Sequence, residues 1–140
     1  MLAEHITDAE QFHKNVVSCL THNGLAVHYF PTLFTLPFFI NYIIPNSLAD
    51  NLLHIFDPRD RHQHAKFRAY YRWCRGPTNK QIQRFICLGY DVIEYRGFFG
   101  HGYYNKFKIL RKIHNIKTNY LLQHPYPMLT SYAYVVLKKV

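Results

Sequence analysis

The chain contains few cysteines, and their spacing excludes the usual cysteine-based sites. Cys19, Cys74 and Cys87 are the three cysteines among 140 residues, and they match neither a disulfide framework nor a zinc motif. We therefore expect reduced thiols and a location inside a cell or organelle. The N-terminal sequence also lacks the basic and apolar segments of a secretory signal and the arginine-rich character of a mitochondrial presequence.

Recognisable catalytic sequences are lacking as well. There is no Gly-x-Ser-x-Gly turn around a nucleophilic serine and no His-Glu-x-x-His zinc sequence. Asp91 and Glu94 are the only carboxylates that lie close together beyond residue 60, and they are best explained as solvated partners of Arg84 or Arg96. We therefore predict a protein that is not an enzyme and that binds no cofactor.

Two further sequences could form binding sites, but each has a simpler explanation. His62 and His64 could bind zinc with Cys74 and Cys87, but the spacing fits no standard arrangement, and a solvated basic surface is favoured. The sequence at 97–102, GFFGHG, could cradle a phosphate, but it lacks the Gly-Lys-Ser/Thr ending of a P-loop. A turn with aromatic anchors is favoured there, and we predict no bound metal.

Acidic residues are scarce, which leaves the chain strongly basic. Seventeen Lys and Arg outnumber eight Asp and Glu, for a formal net charge of +9. No acid follows Glu94, so residues 95–140 carry eight positive charges without compensation. Such an excess predicts an anionic partner, either nucleic acid, anionic lipid or an acidic protein surface.

Charge is absent altogether from a long stretch of the first third. No Lys, Arg, Asp or Glu occurs in the 35 residues at 15–49, and within them residues 25–44 are almost entirely apolar. A helix of that length spans about 30 Å, the thickness of a bilayer core. We therefore predict a transmembrane or membrane-inserted helix over 25–44, kinked at Pro31 and Pro37. Its predicted membrane residues are Phe30, Phe34, Phe38, Phe39, Ile40 and Ile43.

The flanks of this segment differ in charge and predict its orientation. One Lys and three acids precede it, a net charge of −2, whereas sixteen Lys and Arg and five acids follow it, a net charge of +11. Because positive residues stay on the cytoplasmic or matrix side of a membrane, we expect the C-terminal two-thirds on that side. The prolines leave an alternative, a soluble core with two short buried segments broken at residues 31 and 37.

Local signals around this segment favour helices. Capping-box pairs predict helices that begin near Thr7, Ser47 and Thr78, and the last of these helices ends at Gly89. Residues 132–137 instead favour an extended strand, which must pair with another strand, and a partner chain is a candidate.

The predicted fold is mainly α, with short amphipathic helices and an extended C-terminal tail. It forms a single domain, 1–140, divided into an N-terminal helix at 1–23, the membrane segment at 25–44 and a basic region at 46–140.

Residues 103–122 predict a basic amphipathic helix. Its apolar residues recur on one stripe: Ile109, Ile113, Ile116 and Tyr120. Lys108, Arg111 and Lys112 fall on the opposite side, and the absence of acids is typical of membrane-surface or polyanion-binding helices. The residues predicted to bind lipid headgroups or another polyanion are Lys106, Lys108, Arg111, Lys112 and Lys117.

Two functional hypotheses from different classes follow. The first is a non-catalytic accessory subunit that anchors and stabilises other protein subunits of a membrane complex, with anionic lipid as a further partner. A mitochondrial inner-membrane respiratory or ATP synthase complex, with the C-terminal region in the matrix, is the setting proposed for it. The alternative is a basic RNA-binding or ribosomal protein, including one from mitochondria, in which aromatic rings stack on bases and cations contact phosphates.

Overall fold

The computed structural model describes residues 2–43 and 68–140, which form a three-stranded sheet and four helices. In chain order the elements are a 3-10 turn at Ala3–His5, helix α1 at Ala9–Cys19, strand β1 at Leu25–Pro31, helix α2 at Leu36–Ile43, helix α3 at Asn79–Ile86, strand β2 at Tyr90–Phe98, helix α4 at Lys108–Gln123, a 3-10 turn at Pro127–Leu129 and strand β3 at Tyr132–Lys139.

The last strand of the chain lies at the centre of the sheet. β3 pairs antiparallel with β1 on one side and with β2 on the other, in the order β1-β3-β2. The strand predicted at 132–137 therefore forms, and both of its edges pair within this chain and not with a partner chain, which was one candidate. Its alternating side chains Ala133, Val135 and Leu137 are fully buried on one face of the sheet.

That buried face carries the hydrophobic core. Phe30 of β1 and Tyr90 of β2 join the β3 side chains in it, and Phe85 of α3 packs onto them. α1 adds the half-buried Val16 and Val17. Helices thus cover one face of the sheet, which is the usual way for an antiparallel sheet to bury its apolar side.

The predictions of a mainly α fold and of a membrane-spanning helix at 25–44 are wrong. Strands account for 21% of the structure, and residues 25–44 are divided between β1 and α2. Among the helices of residues 2–43 and 68–140, none combines the length and hydropathy that crossing a bilayer requires. The division agrees with the alternative of two short segments in having a break after Pro31, but the second segment is mostly exposed and is not broken at Pro37. Pro31 ends an edge strand, and Pro37 occupies the first turn of α2, where its missing N–H is tolerated.

The residues predicted to face lipid do not share one environment. Phe30 in β1 and Phe38 in α2 are buried in the core. Phe34, Phe39, Ile40 and Ile43 are exposed, and the guanidinium of Arg75 lies 5.2 Å from the ring centroid of Phe34. The six residues therefore do not act together as one lipid-facing set.

Buried hydroxyl groups fix the break between β1 and α2. Thr32 and Thr35 lie in the connection, and both side-chain hydroxyls donate to the backbone carbonyl of Thr130, two residues before the start of β3. Thr32, Thr35 and Thr130 are almost fully buried. Because a buried hydroxyl without a partner is costly, these threonines favour a bend that reaches Thr130 over a continuous apolar helix.

The helix signals have mixed outcomes. At α3 the prediction is confirmed: the hydroxyl of Thr78 accepts a hydrogen bond from the N–H of Gln81, and Gly89 adopts a φ of 86° after the helix. At α1 the cap is Asp8 and not Thr7, since the Asp8 carboxylate accepts from the N–H of Gln11 at 2.9 Å. The helix predicted to begin near Ser47 lies outside the described residues.

Two histidines lie in or near the core in the neutral form. The ring of His13 stacks on Trp73, with centroids 5.6 Å apart and an interplanar angle of 16°, and it meets the ring of His28 edge-on at 5.0 Å. Burial, together with the charge that His28 would carry, lowers the pKa of His13 to about 3. Burial also lowers the pKa of His28. Protonation of either ring would create a positive charge at a site where burial has removed the water that would stabilise it.

We therefore expect the protein to lose stability in acid. An unperturbed histidine has a pKa of 6.5, whereas that of folded His13 is about 3, so the unfolded chain takes up this proton first as the pH falls. The contribution of His13 is complete above about pH 6.5 and decreases by up to about 1.4 kcal/mol per pH unit between pH 6.5 and 3. Urea unfolding at a series of pH values measures this slope.

The matched variants are His13→Phe, which keeps a ring on Trp73 but cannot be protonated, and His22→Phe at an exposed histidine. We expect His13→Phe to flatten the acid slope and His22→Phe to leave it unchanged. Equal slopes for His13→Phe and the unmodified protein contradict the assignment.

Candidate functional site

The face of the sheet opposite the core carries a cluster of aromatic side chains. In the registers of the two strand pairs, Tyr29 lies opposite Tyr134, and Tyr132 lies opposite Phe98. Because side chains two apart on a strand share a face, all four rings project from the side away from Ala133 and Val135. We call this group of Tyr29, Phe98, Tyr132 and Tyr134 the aromatic face.

The rings of the aromatic face are close together and only partly covered. Tyr29 and Tyr132 are stacked, with centroids 5.7 Å apart and an interplanar angle of 12°, and Phe98 lies 6.0 Å from Tyr134. Tyr29 is 49% exposed and Phe98 is 41% exposed. Tyr132 is covered at one edge by Phe38 of α2, at 5.6 Å between centroids. Two of the four rings, Tyr29 and Phe98, are thus substantially accessible to a partner.

Charged side chains on this face are paired. Arg96, opposite Tyr134, forms an ion pair with Glu94 at 2.9 Å, and Lys138 approaches Asp91 at 4.0 Å. A hydrogen bond to the Glu94 carboxylate also raises the pKa of Tyr134. The face therefore carries little net charge, and the attraction for an anionic partner must come from elsewhere in the chain.

Helix α4 stands at the end of the sheet where β2 finishes. The hydroxyl of Thr118 donates to the carbonyl of Phe99 at 3.3 Å, and the N–H of His101 donates to Nε2 of His114 at 3.3 Å. The carbonyl of Phe99 also accepts from the hydroxyl of Ser131, just before β3. Through its carbonyl, Phe99 thus links the end of β2 and the start of β3 to α4.

α4 contacts the rest of the protein through a narrow strip. His114 and Leu121, which lie two turns apart, are its buried residues. The stripe predicted from the sequence, Ile109, Ile113, Ile116 and Tyr120, is exposed. The amphipathic pattern therefore identifies the helix but not the side by which it is attached.

The histidines at this attachment are neutral near pH 7. The rings of His101 and His114 are 3.9 Å apart. Burial, the neighbouring His114 and Lys117 lower the pKa of His101 to about 4. Burial and Lys117 lower the pKa of His114, and burial lowers the pKa of Lys117 itself. The permanent positive charge of this region comes from its exposed lysines and arginine.

Those exposed cations include four of the five residues predicted to bind a polyanion. Lys106 precedes α4, and Lys108, Arg111 and Lys112 lie on it, all exposed, whereas Lys117 is half-buried beside the histidines. No acidic residue follows Glu94 in the sequence, so none of them has an acidic neighbour on the same helix. Their role in binding stays a prediction.

Other candidate residues do not assemble into a site. Burial raises the pKa of the Cys74 thiol to about 12, which disfavours the nucleophilic thiolate. His62 and His64 lie outside the described residues. In the ranges that the structure covers, no three His, Cys, Asp or Glu side chains are placed to hold a metal ion. In the GFFGHG sequence, Phe99 is buried and Phe98 belongs to the aromatic face.

The aromatic face was not identified from the sequence. Its signal in 132–137, YAYVVL, is the alternation of tyrosines with small or apolar residues, whereas 25–31, LAVHYFP, contains the single tyrosine Tyr29. Alternation of this kind predicts a strand with two different faces. In 25–31 the signal is weak, and the overall apolar character of 25–44 predicts a helix instead.

Comparison with known proteins adds no relative: no family model matches the chain, and no curated protein matches it. The predicted mitochondrial respiratory complex therefore has no support from a family or a homologue, and because residues 25–44 do not form the membrane helix on which it depended, it is not retained.

The attachment of α4 gives a direct prediction from two adjacent leucines. Leu121 is 4% exposed and Leu122 is 66% exposed. Leu121→Ala removes buried apolar volume and should lower the free energy of unfolding by about 2 kcal/mol or more, whereas Leu122→Ala should change it by less than about 0.5 kcal/mol. Urea unfolding followed by circular dichroism measures both.

Ile113→Ala completes this comparison, because Ile113 lies on the exposed stripe. We expect it to resemble Leu122→Ala. A loss of stability as large as that of Leu121→Ala would mean that the stripe, and not the His114–Leu121 side, packs against the core.

Proposed function

We propose that this protein binds RNA and acts as a non-catalytic component of an RNA–protein assembly. The observation that carries the proposal is the aromatic face, a set of accessible rings on an open sheet, in a chain whose net charge is +9 and whose last third has no acid. Rings of this kind bind unstacked bases, and cations bind the phosphates that connect them.

The rings favour a single strand over a duplex. Bases are accessible for stacking only where they are not paired and stacked on one another, as in loops, bulges and free ends. Tyr29 and Phe98 are roughly half exposed and lie on the two edge strands, on either side of Tyr134. Such a row can take successive bases, and stacking of this type tolerates different sequences because every base has a π-face.

The cations supply the sequence-independent part of the affinity. Lys106, Lys108 and Arg111 are exposed, and their segment has no acidic neighbour to compete with phosphate. Each phosphate neutralised by such a side chain releases counterions, so binding weakens as salt increases. The charges of the aromatic face are paired with one another. Phosphate binding is therefore assigned to the cations of α4 and to Lys106, which precedes it.

The accessory-subunit hypothesis loses its specific support. It depended on a membrane segment at 25–44, and that segment is divided between β1 and α2. The basic residues that it assigned to lipid headgroups serve equally well as phosphate contacts, because both partners present phosphate anions.

The first test separates the cations from the rings by salt dependence. Fluorescence anisotropy of the full chain with a labelled single-stranded RNA of mixed sequence, at several salt concentrations, gives the affinity and its salt slope. Replacing Lys106, Lys108 and Arg111 together with Gln should reduce the slope of log affinity against log salt by about 2, since each single-strand phosphate contact contributes about 0.7. Lys80→Gln, at an exposed lysine of α3, is the single-site control and should have a smaller effect than any one of the three changes.

The second test removes the π-face of single rings. Tyr29→Leu and Phe98→Leu keep an apolar side chain on the strand, and each should weaken single-stranded RNA binding by about tenfold while leaving the salt slope unchanged. Val27→Leu, on the same exposed face of β1, controls for changed packing. Equal affinity for duplex and single-stranded RNA, or unchanged affinity in both ring variants, excludes the aromatic face as the binding surface.

A further inference from the structure

Helix α4 presents an apolar stripe that no described part of the chain covers. Ile109 is 78% exposed, Ile113 59%, Ile116 62% and Tyr120 62%. The helix is already attached through its other side, at His114 and Leu121. Large apolar side chains that recur along one exposed line of a helix are uncommon on soluble surfaces unless they bind a partner. We call these four residues the α4 stripe.

The spacing of the α4 stripe is that of a helix–helix contact. Its members are separated by four, three and four residues, which is the spacing of the apolar positions at which two α-helices pack side by side. The first and last residues of the stripe are eleven positions apart, or about 17 Å at 1.5 Å per residue. That length corresponds to three turns, enough for one short helix to lie against it.

The charges beside the stripe specify the partner. Lys112 precedes Ile113 by one residue, and Lys117 follows Ile116 by one residue, so at 3.6 residues per turn the two lysines border the stripe on its two sides. The prediction that Lys112 lies opposite the stripe is therefore wrong. These are the positions where packed helices form interhelical ion pairs. A second copy of α4 would bring lysine against lysine, because no acid follows Glu94 anywhere in the chain. Complementarity requires Asp or Glu on the other helix.

We propose that the α4 stripe binds an amphipathic helix of another protein, one that carries Asp or Glu on both sides of its apolar seam. Three of the four stripe residues are isoleucines, which offer bases no ring to stack on, so the stripe complements a protein helix better than it does a nucleic acid. The proposal goes beyond RNA binding and concerns different residues: RNA is assigned to the aromatic face and to Lys106, Lys108 and Arg111.

The test uses two designed helical peptides with the same apolar seam. One carries Glu and the other Lys at the positions that flank the seam. Anisotropy of each labelled peptide with the full chain should show saturable binding of the Glu peptide and at least about tenfold weaker binding of the Lys peptide. Binding of both peptides with equal affinity, or of neither, overturns the proposal.

Variants locate the contact on the helix. Ile113→Asn and Ile116→Asn lie on the stripe, and Leu122→Asn, at a side chain of similar exposure, lies off it. Each stripe variant should weaken binding of the Glu peptide by about tenfold or more, with Leu122→Asn close to the unmodified protein. All three are exposed positions, and thermal unfolding by circular dichroism confirms that each variant is folded before its affinity is compared.

RNA binding and self-association are measured on the same samples. The stripe variants should keep their affinity for single-stranded RNA, so failure of the peptide experiment leaves the RNA proposal standing and the reverse also holds. Sedimentation should show a monomer. A dimer that dissociates in Ile116→Asn would assign the stripe to a second copy, and a loss of RNA affinity in the stripe variants would assign it to RNA; either result overturns the proposal.

Discussion

The structure depends on the antiparallel pairing of β3 with both other strands. β1 and β2 do not pair with each other, so the sheet exists only when the C-terminal strand occupies the place between them. Leu25 pairs with Lys138, and Asp91 pairs with that same residue from the other side. The first strand is therefore held by contacts with the end of the chain, and the sheet is dominated by pairings of long sequence separation.

This central strand also determines what each face of the sheet can do. Ala133, Val135 and Leu137 turn inward and are fully buried beneath α1 and α3. Tyr132 and Tyr134 turn outward by the same two-residue alternation, and they meet rings from both edge strands. One strand thus supplies the middle of the core and the middle of the aromatic face. A shift of its register by one residue would exchange the two sets of side chains.

Two surfaces with different chemistry, the aromatic face of the sheet and the exposed side of α4, lie on either side of the connection at Phe99. The carbonyl of Phe99 accepts hydrogen bonds from Ser131 and Thr118, and so holds the end of the sheet and the helix together. Beyond it, α4 is attached through His114 and Leu121 and exposes most of its circumference. The accessible rings lie on the sheet, while exposed cations and the isoleucines lie on the helix. This arrangement suits a protein that contacts more than one neighbour at once.

Features under the control of local chemistry could be predicted from the sequence. Thr78 caps α3, the left-handed φ of Gly89 follows it, and residues 132–137 form a strand, because capping, glycine and the alternation of tyrosines with small or apolar residues act within a few residues. The excess of positive charge and the acid-free C-terminal third also follow from composition alone.

The division of residues 25–44 and the buried side of α4 depend instead on long-range contacts. Hydropathy cannot tell a buried strand and a short helix from a spanning helix when Thr32 and Thr35 find their hydrogen-bond acceptor at Thr130, far along the chain. Nor can it tell which side of α4 is covered, because burial of Leu121 and exposure of Ile113 depend on contacts with residues that are distant in sequence.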